Sequence, residues 1–287
     1  MRTTPFKVRS AVLCGFALFL LIRLAPGSPA YAQQEARLKI VATTSLISEI
    51  VQDLGGDAVE VATMIPPASC PGHFDIKLDD MKLLAHARIF MLHCWQGRQF
   101  GEQTIRASGN RAFKRVVLET PGNWMVPSAQ IEATDRIAAV LAEVDPVHAG
   151  IYRAAAERRK ASVQQTGAVQ ARRLADADIG RIAALANDMQ ADFIRWAGFQ
   201  VVGTFVRAED MSPSGVEDAI RQGRAKSVRL VVDNLQSGKQ AGYGIAKEIG
   251  AAHVTLSNFP GGYPDTGTWA KALQKNVDLL LAAAPRP

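Results

Sequence analysis

Residues 38–44, Leu-Lys-Ile-Val-Ala-Thr-Thr, are β-rich and run through Ser45 into a helix-like stretch at 46–54 that stops at Gly55-Gly56. The order is strand, turn, helix, glycine stop. A second β-rich run, 59–65, ends at Pro66-Pro67. Residues 79–87 then read as helix and 88–92 as a third strand. Strands that alternate with helices predict a parallel sheet with helices on its faces.

From about 128 to 175 the chain is dense in Ala, Arg, Gln and Glu and reads as helix, interrupted near Asp145-Pro146. Proline is tolerated in the first turn of a helix and not in its middle, so a new helix is expected to begin at Pro146, capped by Asp145. Some thirty residues at about 1.5 Å each give roughly 45 Å, enough to run the height of a two-lobed protein. Beyond it the alternation resumes. A short segment ends at Asn187, followed by helix 189–196, strand 200–205, helix 213–222, strand 228–232, helix 239–249, strand 253–256 and helix 268–281. The predicted fold is α/β, with two lobes built on parallel sheets and joined by one long helix. The first lobe spans 33–145, the helix 146–178 and the second lobe 179–287.

The first residues set the compartment. Arg2, Lys7 and Arg9 precede an apolar run, 11–22, of about a dozen residues, short of the roughly 20 that a bilayer span needs. Ala30-Tyr31-Ala32 supplies a small-x-small cleavage box, so residues 1–32 read as a signal peptide cleaved after Ala32 and the mature protein is expected in the periplasm. Cys14 lies inside the apolar run, follows Leu13 rather than a small residue, and leaves with the signal. The first 32 residues hold four of the 33 basic residues and none of the 27 acidic ones, so the net charge falls from +6 to +2 on maturation. The basic pI is therefore partly a feature of the signal. No later segment is apolar enough to cross a membrane, and no basic tract interleaved with aromatics suits nucleic acid.

Several runs, in order, resemble the periplasmic zinc- and manganese-binding proteins of ABC transporters. They are Ile40-Val41-Ala42-Thr43-Thr44 with Gly55-Gly56-Asp57, Asp145-Pro146 with Tyr152, Asn187-Asp188 with Phe193, Gly198-Phe199-Gln200-Val201-Val202-Gly203, Pro213-Ser214, Ser237-Gly238-Lys239-Gln240 and Ile245-Ala246-Lys247-Glu248-Ile249-Gly250. The resemblance spans nearly all of the mature chain. It implies two α/β lobes bridged by one rigid helix, a ligand in the cleft between them, and delivery by a monomer to an ABC permease in the inner membrane.

The family's metal ligands are not matched. Its first histidine lies in Asp-Pro-His-x-Tyr-Glu, aligned here with Cys70-Pro71-Gly72-His73-Phe74-Asp75, which puts Gly72 at the histidine. Its second lies in Pro-His-x-Trp, aligned with Pro121-Gly122-Asn123-Trp124. The third position is Asn187 and the fourth Asn258. Two lost imidazoles and two neutral amides remove the donors and charge that a divalent cation needs.

A replacement set can be assembled from Cys70, His73, His93 and Cys94, since strand ends of a parallel sheet face one crevice. Thiolate and imidazole suit zinc or copper, and thioethers such as Met64, Met91 and Met125 would favour Cu(I). Two other readings stand beside it. Cys70 and Cys94 can form a disulfide in an oxidising compartment, and the glycines can admit a larger ligand, such as a chelated metal, stacked on Trp95 or Trp124. Trp196 and Trp269 fall on predicted helices and read as core, and His86, His148 and His253 carry no site. No nucleophile elbow, phosphate loop or HExxH motif is present, which argues against an enzyme. The expected function is the binding component of a transporter for a transition metal or metal complex; the alternative is a periplasmic accessory or redox protein on the same fold.

Overall fold

Each half of the chain builds a four-stranded parallel sheet, and the two sheets share one strand order. β1 (Leu38–Ala42), β2 (Val59–Thr63), β3 (Ile89–His93) and β4 (Lys114–Leu118) lie in the order β2-β1-β3-β4. β5 (Ala183–Asn187), β6 (Gln200–Phe205), β7 (Leu230–Asn234) and β8 (Ala252–Leu256) lie as β6-β5-β7-β8. This computed structural model describes residues 1–4, 37–97, 100, 106–238 and 240–285. The apolar run read as a signal, Cys14 and the cleavage position after Ala32 lie outside the described residues.

The helices are α1 (Ser45–Gly55), α2 (Leu78–His86), α3 (Pro127–Val144), α4 (Ala149–Asp176), α5 (Ala191–Trp196), α6 (Pro213–Ala225), α7 (Gln240–Ile249) and α8 (Trp269–Ala283). Among the described residues no helix is long and apolar enough to cross a membrane. The central strands are apolar on both faces, as buried parallel strands must be. Ile40 and Ala42 of β1, Ile89 and Met91 of β3, Ala184 and Ala186 of β5, and Leu230 and Val232 of β7 enter one large core. The intervening Val41, Phe90 and Leu92 pack behind the first sheet, and Leu185 and Val231 behind the second. The period of two along a strand thus sorts side chains between a shared interior and two outer cores.

Two expectations need correction. The strand β4, Lys-Arg-Val-Val-Leu, is absent from the pattern read above. It is an edge strand paired only with β3, from Ile89↔Lys114 to His93↔Leu118, and its two leading basic residues are half-buried, which hides the β signal. The long helix begins at Ala149, not Pro146, and Asp145 closes α3. Its carboxylate bonds His148 Nδ1 at 2.7 Å and accepts from the Tyr152 hydroxyl at 2.6 Å, which fixes the corner between the two helices. At 1.5 Å per residue the 28 residues of α4 run about 42 Å. It packs along α3, α1 and α8. A Cβ on Gly167 would lie 2.6 Å from Pro127 Cγ, so only glycine lets the start of α3 approach α4 this closely.

Candidate cargo-binding cleft

The strand ends supply the polar groups. In the first lobe β1 runs out into Thr43 and Thr44, and β3 into His93 and the short turn Cys94–Gln96. Strand alternation puts His93 on the same side as Ile89 and Met91, so it turns inward and is 2 % exposed. Its Nε2 bonds the Thr44 hydroxyl at 2.8 Å. Its ring meets Trp124 edge-on at 4.3 Å and lies under Trp95, stacked at 5.3 Å and 13°. Burial holds its pKa down at about 3, so the imidazole stays neutral. Gln96 accepts from the Thr43 hydroxyl at 2.6 Å and from His93 N–H at 3.1 Å through one oxygen, Oε1.

The second lobe presents amides. Gln190 Nε2 donates to Asn234 Oδ1 at 3.1 Å and to Asn258 Oδ1 at 2.9 Å. Asn187 Oδ1 accepts from Met189 N–H at 3.1 Å. Asn123 of the first lobe donates across the seam to Asn258 Oδ1 at 2.8 Å and to the Met189 carbonyl at 2.7 Å. Gln236 donates to the Pro67 carbonyl and Ser45 to that of Pro260, each at 2.7 Å. Neutral hydrogen bonds therefore carry most of the contact between the lobes at the strand ends.

A second seam lies beyond the strand ends. Both oxygens of Glu49, on α1, sit 2.8 Å from the Trp269 N–H that opens α8, where a carboxylate suits the free N–H groups of a helix start. Arg159 of α4 lies 3.7 Å from Glu49 and pairs with Asp53, and it donates to Gln130 at 3.0 Å. Burial pushes the Glu49 carboxyl up to about 7, against the pull of Arg159 and the Trp269 N–H, with Asp53 adding to the rise.

The four residues proposed as a replacement set are distributed as follows. Cys70 and His73 face the second lobe, with Cys70 Sγ 3.6 Å from Arg207 Nη1 and His73 Nε2 3.3 Å from Glu209. His93 is committed to Thr44 inside the first lobe, and Cys94 is half-buried in the turn after it. Both cysteines are free thiols. Among the described residues no three His, Cys, Asp or Glu side chains are grouped to hold a metal ion. Met64, Met91 and Met125 are buried core residues, so the thioether set that suggested copper is not assembled.

The four residues that the resemblance matches to the family's ligand positions have their own surroundings. A Cβ on Gly72 would lie 3.1 Å from the Arg207 guanidinium, which fills that space. Gly122 has φ +81°, a conformation that L side chains rarely adopt, and a Cβ there would meet Asp192 at 3.4 Å. Asn187 and Asn258 belong to the amide set. Arg207 pairs with Asp210, and burial pushes the nearby Asp188 carboxyl up. Arg207, Gln96, Gln190, Asn123 and Glu49 were not legible as site residues. The one signal was a glutamine three residues beyond a strand-ending polar residue, in His93-Cys-Trp-Gln96 and Asn187-Asp-Met-Gln190.

Two parallel sheets joined by polar contacts at their strand ends and bridged by a long helix make a two-lobed α/β protein, and the family it belongs to is one of solute-binding proteins rather than enzymes. The chain belongs to the family described as zinc-uptake complex component A, periplasmic, whose profile matches residues 40–283. It is 26 % identical over 208 residues to the manganese-binding lipoprotein MntA of Bacillus subtilis (strain 168), covering 66 % of this chain and 67 % of that one. The fold is that of the periplasmic metal binding protein from Candidatus Liberibacter asiaticus, at TM-score 0.74 and 15 % identity over 86 % of this chain and 99 % of that one. It is likewise that of the crystal structure of ZnuA, at TM-score 0.73 and 18 % identity over 87 % and 100 %.

Proposed function

We propose that this protein is the extracytoplasmic binding component of a zinc- or manganese-uptake ABC transporter, and that it does not grip a bare cation at the four family positions. It captures its metal cargo between the lobes and passes it to a permease in the inner membrane. The observation that carries this reading is Arg207. A guanidinium beside Gly72, paired with Asp210, takes up the space where a cation ligand is expected, and its N–H groups are donors that cannot coordinate a cation. Asn187 and Asn258 support it, because neutral amides bring no charge to offset that of a divalent ion.

Elemental analysis of protein isolated from its own extracytoplasmic space tests the reading. Zinc or manganese near one equivalent per chain is expected. Protein stripped of cargo and re-exposed to bare zinc or manganese chloride is expected to recover only a small fraction. No transition metal above background in the isolated protein would remove it from metal uptake, and full recovery from the chloride salts would restore the simple-ion reading.

A further inference from the structure

Five buried polar atoms near the seam lack any protein partner: His93 Nδ1, Gln96 Nε2, Thr120 Oγ1, Asn187 Nδ2 and Gln190 Oε1. None of the five residues is more than 2 % exposed. Contacts through residues 123 and 124 join both groups. On one side Trp124 packs on His93 and donates its indole N–H to the Thr120 carbonyl at 3.0 Å, while Gln96 is held by the His93 backbone. On the other, Asn123 and Gln190 both donate to Asn258 Oδ1, and Asn187 ends the strand that leads to Gln190. Flipping the Gln96 amide does not cure its deficit, because the His93 N–H needs the oxygen where it is.

An orphaned buried polar group costs about 1–3 kcal/mol, so this many in one region point to something that completes them. The chemistry of the atoms restricts what that is. The amide nitrogens of Gln96 and Asn187 are donors and cannot ligate a cation; they require oxygen acceptors. Gln190 Oε1 is an acceptor, open to a hydroxyl donor or to a cation. A bare cation leaves the two amide donors unmet, whereas a metal already held by a carboxylate with a neighbouring hydroxyl offers partners to the donors and the acceptor alike. Arg207 at Gly72, paired with Asp210, adds N–H donors that likewise suit oxygen acceptors rather than a bare cation.

We propose that the cargo enters the cleft as a metal already chelated by a small hydroxycarboxylate, with Gln96 and Asn187 donating to the chelator's oxygens and Gln190 accepting from its hydroxyl. Trp95, 56 % exposed and stacked over His93, is the aromatic cover of the first-lobe half. This rests on the metal-uptake reading and narrows its cargo.

The test is calorimetric titration of the full mature chain with zinc citrate, metal-free citrate and zinc chloride, with Trp fluorescence followed in parallel. Saturable binding of zinc citrate is expected. Gln96→Glu and Asn187→Asp keep shape and the oxygen that each amide now uses but replace the free donor by a carboxylate, so each is expected to weaken zinc citrate by about 10- to 100-fold. Circular dichroism reports the fold of both, and either variant alone suffices if the other does not fold. Absence of zinc citrate binding, unchanged affinity in a folded variant, or a crystal structure grown with zinc citrate that shows ordered water only at these atoms would overturn the proposal and leave the metal-uptake reading standing. Tight binding of zinc chloride alone would overturn the claim that a bare cation is not gripped, and with it this narrowing of the cargo.

Discussion

Trp269→Ala is expected to destabilise the protein by about 4 kcal/mol, within the range for removal of a buried tryptophan. Trp269 is 2 % exposed and among the largest fully buried side chains. It opens α8 in the second half of the chain, yet its backbone N–H is held by Glu49 of α1 and its indole N–H donates to the Trp124 carbonyl at 3.2 Å. One residue thus fills the shared core and fastens the last helix to the first lobe. Trp269→Phe keeps most of the apolar volume and loses one hydrogen bond, so about 1–2 kcal/mol is expected. Urea unfolding followed by circular dichroism separates the two. A loss below about 1 kcal/mol for the alanine variant would show that the junction does not depend on this side chain.

Glu49→Gln is expected to stabilise the protein at alkaline pH by as much as about 3 kcal/mol, from 1.36 kcal/mol per pKa unit. In the folded chain Glu49 keeps its proton up to about 7, against 4.5 for the ordinary carboxyl. The folded state therefore binds more protons across that window. The stability contributed by the protonated form is complete below about 4.5 and lost as pH rises through about 7. Glutamine is neutral throughout and still accepts from the Trp269 N–H, so the difference between the two proteins should be small in acid and grow across the window. His93 works in the opposite sense. Its folded pKa is depressed from 6.5 to about 3, so its contribution is present above 6.5 and is lost as pH falls below that value. Subtracting the two unfolding profiles cancels the histidine and isolates the glutamate. A flat difference would mean that Glu49 is not perturbed by its burial.

Much of this architecture was legible in the chain because its local signals agree. The strand 200–205 and the helix beginning at Pro213 fall where composition and proline place them, since β-branched runs and an N1 proline act locally. The edge strand β4 was not legible, because a strand paired on one side needs little apolar surface. Asp145 was misassigned because one acidic residue before proline suits either the end of one helix or the start of the next. The site was less legible still. Gly72 and Gly122 were matched to ligand positions by resemblance alone, and the guanidinium that fills the space at Gly72 comes from a residue more than a hundred positions away. His93 was read as a cleft-facing ligand at a strand end; strand alternation turns it inward beneath Trp95. The amides of Asn123, Gln190 and Asn258 carry no motif and acquire meaning only when two lobes bring them together.

The central claim is that this family member does not hold a bare divalent ion at Gly72, Gly122, Asn187 and Asn258. Isothermal titration of the cargo-free protein with zinc chloride and with manganese chloride measures it directly. The account predicts no saturable heat at micromolar protein from either salt. Stoichiometric, tight binding that persists when His73 and His93 are both replaced by alanine would contradict it.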